Sequence, residues 1–230
     1  MFVSSNRLDY MLPMTSPIAP IVDADPQERL LDAAESLFAE HGYNGVSLRA
    51  ITTRAGVNIG AANYYFRSKE GLFRAVFARR VGPMSAERQR LLDECVARAD
   101  GRPPPIEEVL EAFIAPAIRI TASPQAEAFK KLSGRISTDP SPEVRRTVYE
   151  LYDEIAARFV DVLQQACPHL SREDLFWRLA CIYGAMMYVR ADSGRLQRLL
   201  GDGLVMTKSE EALRHVIPFL AAGMRLPPIG

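Results

Sequence analysis

Apolar residues recur at helical spacing along most of this chain, and no stretch alternates between apolar and polar positions as a strand would. The first helical segment opens with Asp25, a favourable N-cap, and has Pro26 at its first helical position. Its apolar stripe consists of Leu30, Leu31, Ala34, Leu37 and Phe38. The pattern predicts an amphipathic helix that stops at Gly42, a natural left-handed terminator.

Two short helices and a longer one are predicted next. Ser47 is expected to cap the second helix, which breaks at Ala55-Gly56-Val57. Asn58 is expected to cap the third, which ends near Phe66, and Ser68 the fourth. Two short helices joined by a tight glycine-containing turn are typical of a helix-turn-helix, whose second helix lies in the DNA major groove.

The rest of the chain is predicted to be helical as well. The fourth helix is expected to bend at Gly82-Pro83 and to continue to about Arg98. Further helices are predicted at about 106–120, 125–133, 139–166, 171–190 and 207–224, with an irregular stretch at 191–206. The expected fold is all-α, with a flexible tail (1–24), a small three-helix unit (25–72) and a larger helical body (73–226).

The third helix has two unlike faces when its residues are placed about 100° apart. The residues expected to point inward are Val57, Ile59, Ala62 and Phe66. Those expected to face outward are Gly60, Ala61, Asn63 and Tyr64, with Tyr65 at the edge. A solvated face would more usually carry lysine, glutamate or glutamine. The small residues, amide and phenol found here therefore indicate a partner that approaches the helix closely.

The chemistry of this outward face suits DNA. An asparagine such as Asn63 can pair with adenine through two hydrogen bonds, and Ala61 can meet a thymine methyl. The hydroxyls of Tyr64 and Tyr65 can donate to phosphate oxygens. Lys69 stands at a helix N-terminus, which favours an anion such as phosphate. A tyrosine-rich run of this kind is also common at the rim of a protein core, so these residues alone leave both interpretations open.

Charge is unevenly distributed although the formal net charge is zero. Residues 1–41 hold two basic and seven acidic side chains, whereas residues 42–80 hold seven basic and one acidic. Such a stretch can form an electrostatic footprint for nucleic acid, and it is equally compatible with a solvated helix face. Arg49, on the first turn of the second helix, could reach a guanine or a phosphate.

The chain offers little for catalysis. It has no His/Asp/Ser constellation, metal-ligand spacing or phosphate loop, so no catalytic residue, metal or cofactor is predicted. Cys95, Cys167 and Cys181 lie far apart and are interpreted as buried apolar residues in a reducing compartment. The N-terminus lacks the pattern of a signal peptide, and no apolar run approaches a membrane span. A cytoplasmic protein is expected, whose translation could also start at Met11 or Met14.

The segment from Arg29 to Phe77 resembles the DNA-binding domain of the tetracycline-repressor (TetR) family of bacterial regulators. The matching motifs are AAxxLFAExG in the first helix, SLRAITTRAGV in the second helix and turn, and YYF-x-SKEGL leading into the fourth. The resemblance implies that the outward face of the third helix reads the groove while the tyrosine pair and the following lysine hold the DNA backbone. The candidate DNA contacts are Ser47, Arg49, Asn58, Gly60, Ala61, Asn63, Tyr64, Tyr65 and Lys69. Asn63 departs from the family's usual pattern and is the candidate for base preference.

The same resemblance implies a C-terminal domain that binds a small molecule and forms a homodimer. The dimer candidates are the strip of small residues Ala180, Cys181, Gly184 and Ala185, and Leu213, Val216, Ile217 and Leu220 of the last helix. The ligand candidates are Phe113, Phe129, Phe159, Trp177, Tyr183 and Met187, with Arg119 and Arg178 for an acid group. The simpler interpretation is an ordinary core residue for the six apolar candidates and a surface ion pair for the two arginines.

Two passages, FRAVFARRVGP and the helix containing FWRL and GAMMY, are similar to fatty-acid-responsive members of the family. They imply a fatty acid or acyl derivative as effector, with a planar aromatic compound as the alternative. The sequence therefore predicts a homodimeric repressor that binds an inverted-repeat operator and is released by a small hydrophobic effector. The alternatives are a helical scaffold without specific DNA binding and, with less support, a helical enzyme.

Overall fold

The computed structural model describes residues 25–119, 124–137, 141–191, 194–201 and 209–228. Within these ranges the chain forms helices and turns and no strand, which confirms the predicted all-α class. The tail at 1–24 and the first two residues of the predicted cap at 207–210 lie outside the described residues. None of the described helices combines the length and the apolar composition that a membrane crossing needs.

The helices are numbered in chain order. They are α1 (Pro26–His41), α2 (Leu48–Ala55), α3 (Ile59–Phe66), α4 (Lys69–Ala99), α5 (Ile106–Ile118), α6 (Pro124–Ser137), α7 (Pro142–Tyr149), α8 (Asp153–Ala166), α9 (Arg172–Ala191), α10 (Arg195–Leu200) and α11 (Ser209–Arg225). Helix α4 continues through Pro83, as the sequence predicts.

Side-chain caps fix the starts of the first four helices. Asp25, Ser47, Asn58 and Ser68 each accept a hydrogen bond from a backbone N–H two or three residues further on, at 2.8–3.1 Å. Gly56 ends α2 with φ 63°, in the left-handed region that a glycine adopts without strain. All four predicted caps are confirmed, and they make the helix-turn-helix short and sharply bounded.

Two stretches differ from the prediction. The helix expected over 139–166 is two helices, because the chain turns at residues 150–152 between α7 and α8. The turn changes the direction of burial: Val148 before it packs into one core, and Phe159 after it packs into another. The stretch expected to be irregular at 191–206 contains the short helix α10.

The interior is divided into two hydrophobic cores that meet along α4. The first core joins α1, α2, α3 and the start of α4 with buried side chains of α6 and α7. The second core joins the rest of α4 with α5, α8, α9 and α11. Val81 belongs to the first core and Met84 to the second, so the division falls at the Gly82-Pro83 step. Helix α4 is therefore the structural link between the small unit and the body.

An ion network joins α1 to α4 at the edge of the first core. The Glu35 carboxylate is buried and accepts hydrogen bonds from Arg79 at 2.7 Å and from Arg80 at 3.1 and 3.2 Å. Arg79 also contacts Asp32 at 2.8 Å and Glu28 at 3.0 Å near the surface. Acidic side chains of residues 1–41 thus neutralise part of the positive charge of residues 42–80.

Candidate nucleic-acid interface and effector body

Helix α3 presents the surface that the rotation argument predicts, with one exception. Ala62 and Phe66 are buried, whereas Gly60, Asn63 and Tyr64 are exposed. Tyr64 is 82% exposed and projects almost wholly into solvent, while Tyr65 at the edge is 38% exposed. The two tyrosine rings meet edge to face with their centroids 5.3 Å apart, so each limits the freedom of the other. The aromatic pair is therefore a partly ordered, outward-facing element.

Ile59 is the exception, because it is 50% exposed and does not point into the core. It is the first residue of α3, and a helical wheel gives the direction of a side chain but not whether another helix covers it. Its branched apolar side chain lies on the same open side as Gly60 and Asn63. Ile59 is thus a further candidate for contact with a thymine methyl that the sequence reasoning missed.

Several predicted contact residues hold the backbone as well as facing outward. The oxygens of Ser47 and Asn58 each accept one capping hydrogen bond, so the hydroxyl proton of Ser47 and the amide NH₂ of Asn58 stay available as donors to a partner. A Cβ on Gly60 would stand 3.1 Å from the Asn58 side-chain oxygen. The absence of a side chain at Gly60 therefore leaves room for the cap. Ala61, beside it, is half-buried.

Lys69 has a structural role that the sequence reasoning did not assign. Its ammonium donates to the carbonyls of Tyr43 and Val46, each at 3.1 Å, and lies 4.1 Å from the centre of the Tyr43 ring. It thereby ties the start of α4 to the loop between α1 and α2. Two of its three N–H donors are engaged, so at most one remains for a phosphate.

Lys69→Met is expected to lower the free energy of unfolding by about 1–3 kcal/mol, because it leaves two carbonyls without their charged donor. Chemical denaturation measures this loss. Arg67→Met, which removes an exposed cation two residues away, is the control and should change stability by less than about 0.5 kcal/mol. Equal stability of the two variants would contradict the structural role of Lys69.

The local basic stretch is smaller in the structure than in the sequence. Arg54, Arg74, Arg79 and Arg80 form ion pairs with Glu40, Glu150 or acidic residues of α1. The basic side chains left on the side of α2, α3 and their turn are Arg49, Arg67 and Lys69. Positive charge is thus concentrated next to the exposed face of α3, where a phosphate backbone would pass.

A second exposed surface lies on α9 and α11. Phe176 and Trp177 on α9 are each 63% exposed, and Phe219 on α11 is 77% exposed. Arg178 donates to carbonyls at residues 223–227 at 2.8–3.0 Å, which fixes the start of α9 beside the end of α11. The start of α9 and the end of α11 are therefore neighbours. Their outward sides carry large apolar residues that a soluble monomer would not usually leave exposed.

The predicted dimer residues divide between this surface and the interior. Ala180, Cys181 and Gly184 are exposed on α9, and Cys181 is thus not the buried residue that was expected. The predictions for α11 are wrong in phase: Leu213, Ile217 and Leu220 are buried in the second core of their own chain. Ala185 and Val216 also pack against that core. Phe176 and Phe219 are not among the predicted interface residues, because residue type does not show which apolar side chains are exposed.

The ligand candidates are also divided. Phe113 and Phe159 stack in the second core with centroids 3.9 Å apart, and the Tyr183 ring meets Phe113 edge to face at 6.0 Å. Phe129 belongs to the first core, where it contacts Phe77. Met187 is half-buried on α9.

Three other ligand candidates lie away from the second core's interior. Arg119 pairs with Glu210 at 2.7 Å and Glu111 at 3.3 Å on the surface. Arg178 caps α11, and Trp177 faces outward. The ligand-binding role predicted for these three residues stays a prediction, and the structure places each of them in a surface or capping contact.

Two family models match the chain. The model described as "Bacterial regulatory proteins, tetR family" matches residues 30–76, and "Tetracyclin repressor-like, C-terminal domain" matches residues 111–223. The HTH-type transcriptional regulator SrpR of Pseudomonas putida is 25% identical over 145 residues, which cover 63% of this chain and 61% of that protein. The chain thus spans less than two thirds of the length of that relative.

Solved structures share the fold. The fatty acid degradation regulator FadR from Bacillus halodurans superposes with a TM-score of 0.61 at 20% identity, over 88% of this chain and 97% of that one. FadR from Bacillus subtilis in complex with stearoyl-CoA gives 0.56 at 16% identity, over 85% and 98%. At such identities the agreement concerns the arrangement of helices.

Proposed function

Because the chain belongs to the TetR family of bacterial regulatory proteins, we propose that it is a homodimeric transcriptional repressor controlled by a small hydrophobic effector. The family is one of DNA-binding regulators and not of enzymes. Residues 25–72 are proposed to bind DNA, and residues 73–226 to bind the effector and the second subunit. A protein with this task works in the cytoplasm, where its DNA is.

The exposed face of α3 carries the proposal. Gly60, Asn63 and Tyr64 face outward together from a short helix whose other side is buried, and Arg49 and Arg67 flank it. A helix with a small-residue surface can enter the major groove closely enough for an amide to reach base edges. A scaffold protein would have no need of this combination of small, amide, phenol and basic side chains.

Dimerisation is proposed through α9 and α11. Pairing these helices with the same helices of a second copy would cover Phe176, Trp177 and Phe219 in a two-fold interface. The small exposed residues Ala180 and Gly184 would allow close approach of the helix backbones. Two α3 helices would then face successive major grooves, so the operator should be an inverted repeat.

The effector is proposed to be a fatty acid or acyl derivative that binds in the second core. Its stacked rings Phe113 and Phe159, with Tyr183 beside them, offer the apolar surface that a hydrocarbon chain prefers. Support for the class comes from the FadR structures that share the fold, one of them holding stearoyl-CoA. A planar aromatic effector is the alternative, and nothing in the geometry favours it.

Control of DNA binding by the effector is proposed to pass through α4. This helix contributes to both cores, and α6 and α7 also pack against the first one. In this proposal the helices of the body have two arrangements, each with its own distance between the α3 helices of the dimer. An effector that binds one arrangement more tightly would shift the equilibrium toward it and so change that distance. Coupling of this kind is typically about 1–3 kcal/mol.

The proposal is tested by fluorescence anisotropy with labelled duplexes from the promoter of its own gene and from the promoters of neighbouring genes. Binding should be confined to a duplex that contains an inverted repeat, and it should weaken steeply as salt rises, since phosphate contacts release counterions. A scrambled repeat of equal composition is the control. Equal affinity for repeat and scrambled duplexes would reject the repressor.

Asn63→Ala is expected to lose discrimination at one base pair in each half-site, at a cost of about 1–3 kcal/mol for the preferred operator. Tyr64→Phe is the matched comparison, since it removes a hydroxyl that would meet phosphate and should weaken all duplexes alike. A panel of operators with single substitutions, measured with both variants, separates the two patterns. Unchanged base preference in Asn63→Ala would show that the amide does not read sequence.

A further inference from the structure

Arg88 inside the second core and the partly buried Arg190 on α9 have no acidic partner among the residues that the structure describes. Arg88 of α4 is 2% exposed; its Nε donates to the Phe113 carbonyl at 2.7 Å, and its guanidinium lies 4.0 Å from the Phe113 ring centre. Arg190 of α9 has its Nε and Nη2 buried without a hydrogen-bond partner. No carboxylate of the residues that the structure describes forms an ion pair with either one.

The two arginines share part of their electrostatic surroundings. Burial lowers the pKa of Arg88 to about 10, with the charge of Arg190 acting in the same direction, so Arg88 stays charged at neutral pH. Burial likewise lowers the pKa of Arg190. Tyr152 lies within electrostatic reach of both arginines and Tyr183 within reach of Arg88. The phenol pKa of each tyrosine is raised by burial, so both remain neutral hydroxyl donors.

Such an arrangement is costly for the protein alone. A buried cation is normally matched by a carboxylate, because desolvation is otherwise not offset. Elsewhere in the part of the chain that the structure describes, the rule holds even for partly buried arginines: Arg79 and Arg80 contact the buried Glu35, and Arg158 contacts Asp93 at 2.7 Å. The second core departs from it at two positions on different helices. Buried cations without a counter-charge are typical of a site that receives an anion.

The surroundings of the arginines are apolar. The Phe113 ring, against which Phe159 stacks, lies directly beside Arg88, whose second terminal nitrogen is 3.7 Å from the Met186 sulfur. An anion with a hydrocarbon body would therefore find cations for its acid group and apolar side chains for its hydrocarbon in one place. The fork of N–H donors on each guanidinium matches the two oxygens of a carboxylate.

We propose that Arg88 and Arg190, helped by the hydroxyls of Tyr152 and Tyr183, bind the carboxylate of an amphiphilic acid in the second core. The inference rests on the proposed effector function and adds the charge of the effector. It excludes neutral alcohols, esters and uncharged aromatic compounds as strong effectors. It also moves the acid-binding role from Arg119 and Arg178, where the sequence suggested it, to two other arginines.

Arg190→Met separates a binding role from a structural one, because methionine keeps the unbranched apolar stem and removes the charge. The full-length variant, without ligand, should melt at the same temperature as the wild type or higher, since an uncompensated buried cation has gone. Its affinity for the acid should fall by at least about tenfold. A residue that only supports the fold would lower both.

The probes are straight-chain carboxylates from hexanoate to hexadecanoate and benzoate, each compared with its matched alcohol below micellar concentration. Calorimetry and thermal shift on full-length protein measure binding without DNA. At least one acid should bind and its alcohol should not, and Arg198→Met, an exposed arginine of α10, should bind like the wild type.

Three outcomes would overturn the inference: no acid binds, an alcohol binds as tightly as its acid, or Arg190→Met leaves acid affinity unchanged. These outcomes are separate from a failure of the repressor proposal, which is judged by DNA binding alone. A protein that binds its operator and is released by a neutral compound would keep the repressor and lose the acid site. A protein that binds acids through Arg190 and no operator would do the reverse.

Discussion

Replacing both Trp177 and Phe219 with glutamate is expected to convert the protein to a monomer and to abolish tight operator binding. Each aromatic side chain is largely exposed on one subunit, and a two-fold interface would bury it twice. Buried aromatic anchors of an interface typically contribute about 2 kcal/mol or more each. The dimer dissociation constant should therefore rise by at least about a thousandfold. Sedimentation equilibrium measures the subunit mass, and anisotropy with the inverted repeat measures DNA affinity.

The matched control is Leu199→Glu on α10, which adds a charge at an apolar side chain exposed to a similar degree. It should leave both the mass and the DNA affinity unchanged. Both variants should keep the helical signal of the wild type, since none of the three side chains packs in a core. A double variant that sediments as a dimer would show that another surface joins the subunits.

Glu35→Gln is expected to lower the free energy of unfolding by about 3 kcal/mol. The carboxylate is 2% exposed and neutralises Arg79 and Arg80 together, so the amide leaves two cations without a counter-charge. Breaking a buried pair by changing one partner typically costs about 3–5 kcal/mol, and the partial exposure of both arginines places the cost at the low end. Urea denaturation followed by circular dichroism measures the change.

Glu28→Gln serves as the comparison for this effect. Glu28 contacts the same Arg79 at 3.0 Å but is exposed, so its loss should cost less than about 1 kcal/mol. The contrast isolates burial as the cause. If both variants lost the same stability, the network would act as an ordinary surface ion cluster and Glu35 would not be the anchor between α1 and α4.

The local signals in the sequence predicted the N-terminal unit well. A capping residue acts on backbone groups two or three positions away, so Ser47, Asn58 and Ser68 carry their information without knowledge of the rest of the fold. The inward positions Ala62 and Phe66 followed from the helical period alone. The exposure of Ile59 did not follow, because it depends on contacts with other helices, which the helical period does not contain.

Long-range packing explains the errors in the body. Helix α11 has apolar residues on both sides, and only contact with α5 and α9 decides that Leu213 faces the core while Phe219 faces out. The break between α7 and α8 likewise requires knowing that two cores lie on either side of it. Neither fact is present in a window of neighbouring residues.

The position of Arg88 in the sequence indicates that it is buried, but the polar residues beside it hide that signal. It stands in the buried stripe of α4, in register with Met84, Leu92 and Cys95, at spacings of three and four residues. A charged residue in such a stripe predicts a buried charge. Its neighbours Glu87, Gln89 and Arg90 make the segment look like an ordinary solvated face instead. Arg190 gives no comparable signal, since it lies in the last turn of a helix where basic residues are common.

The length of α4 has a mechanical consequence. Its 31 residues extend over about 46 Å, and about 22 Å of that separates its start beside α3 from the division between the cores. A tilt of about 5° at the division would carry each α3 about 2 Å sideways, in opposite directions for the two subunits. Their spacing would change by about 4 Å, more than the rise of about 3.4 Å per base pair along the duplex. In the proposed dimer, a small rearrangement around an acid in the body would thereby become a loss of register with the operator.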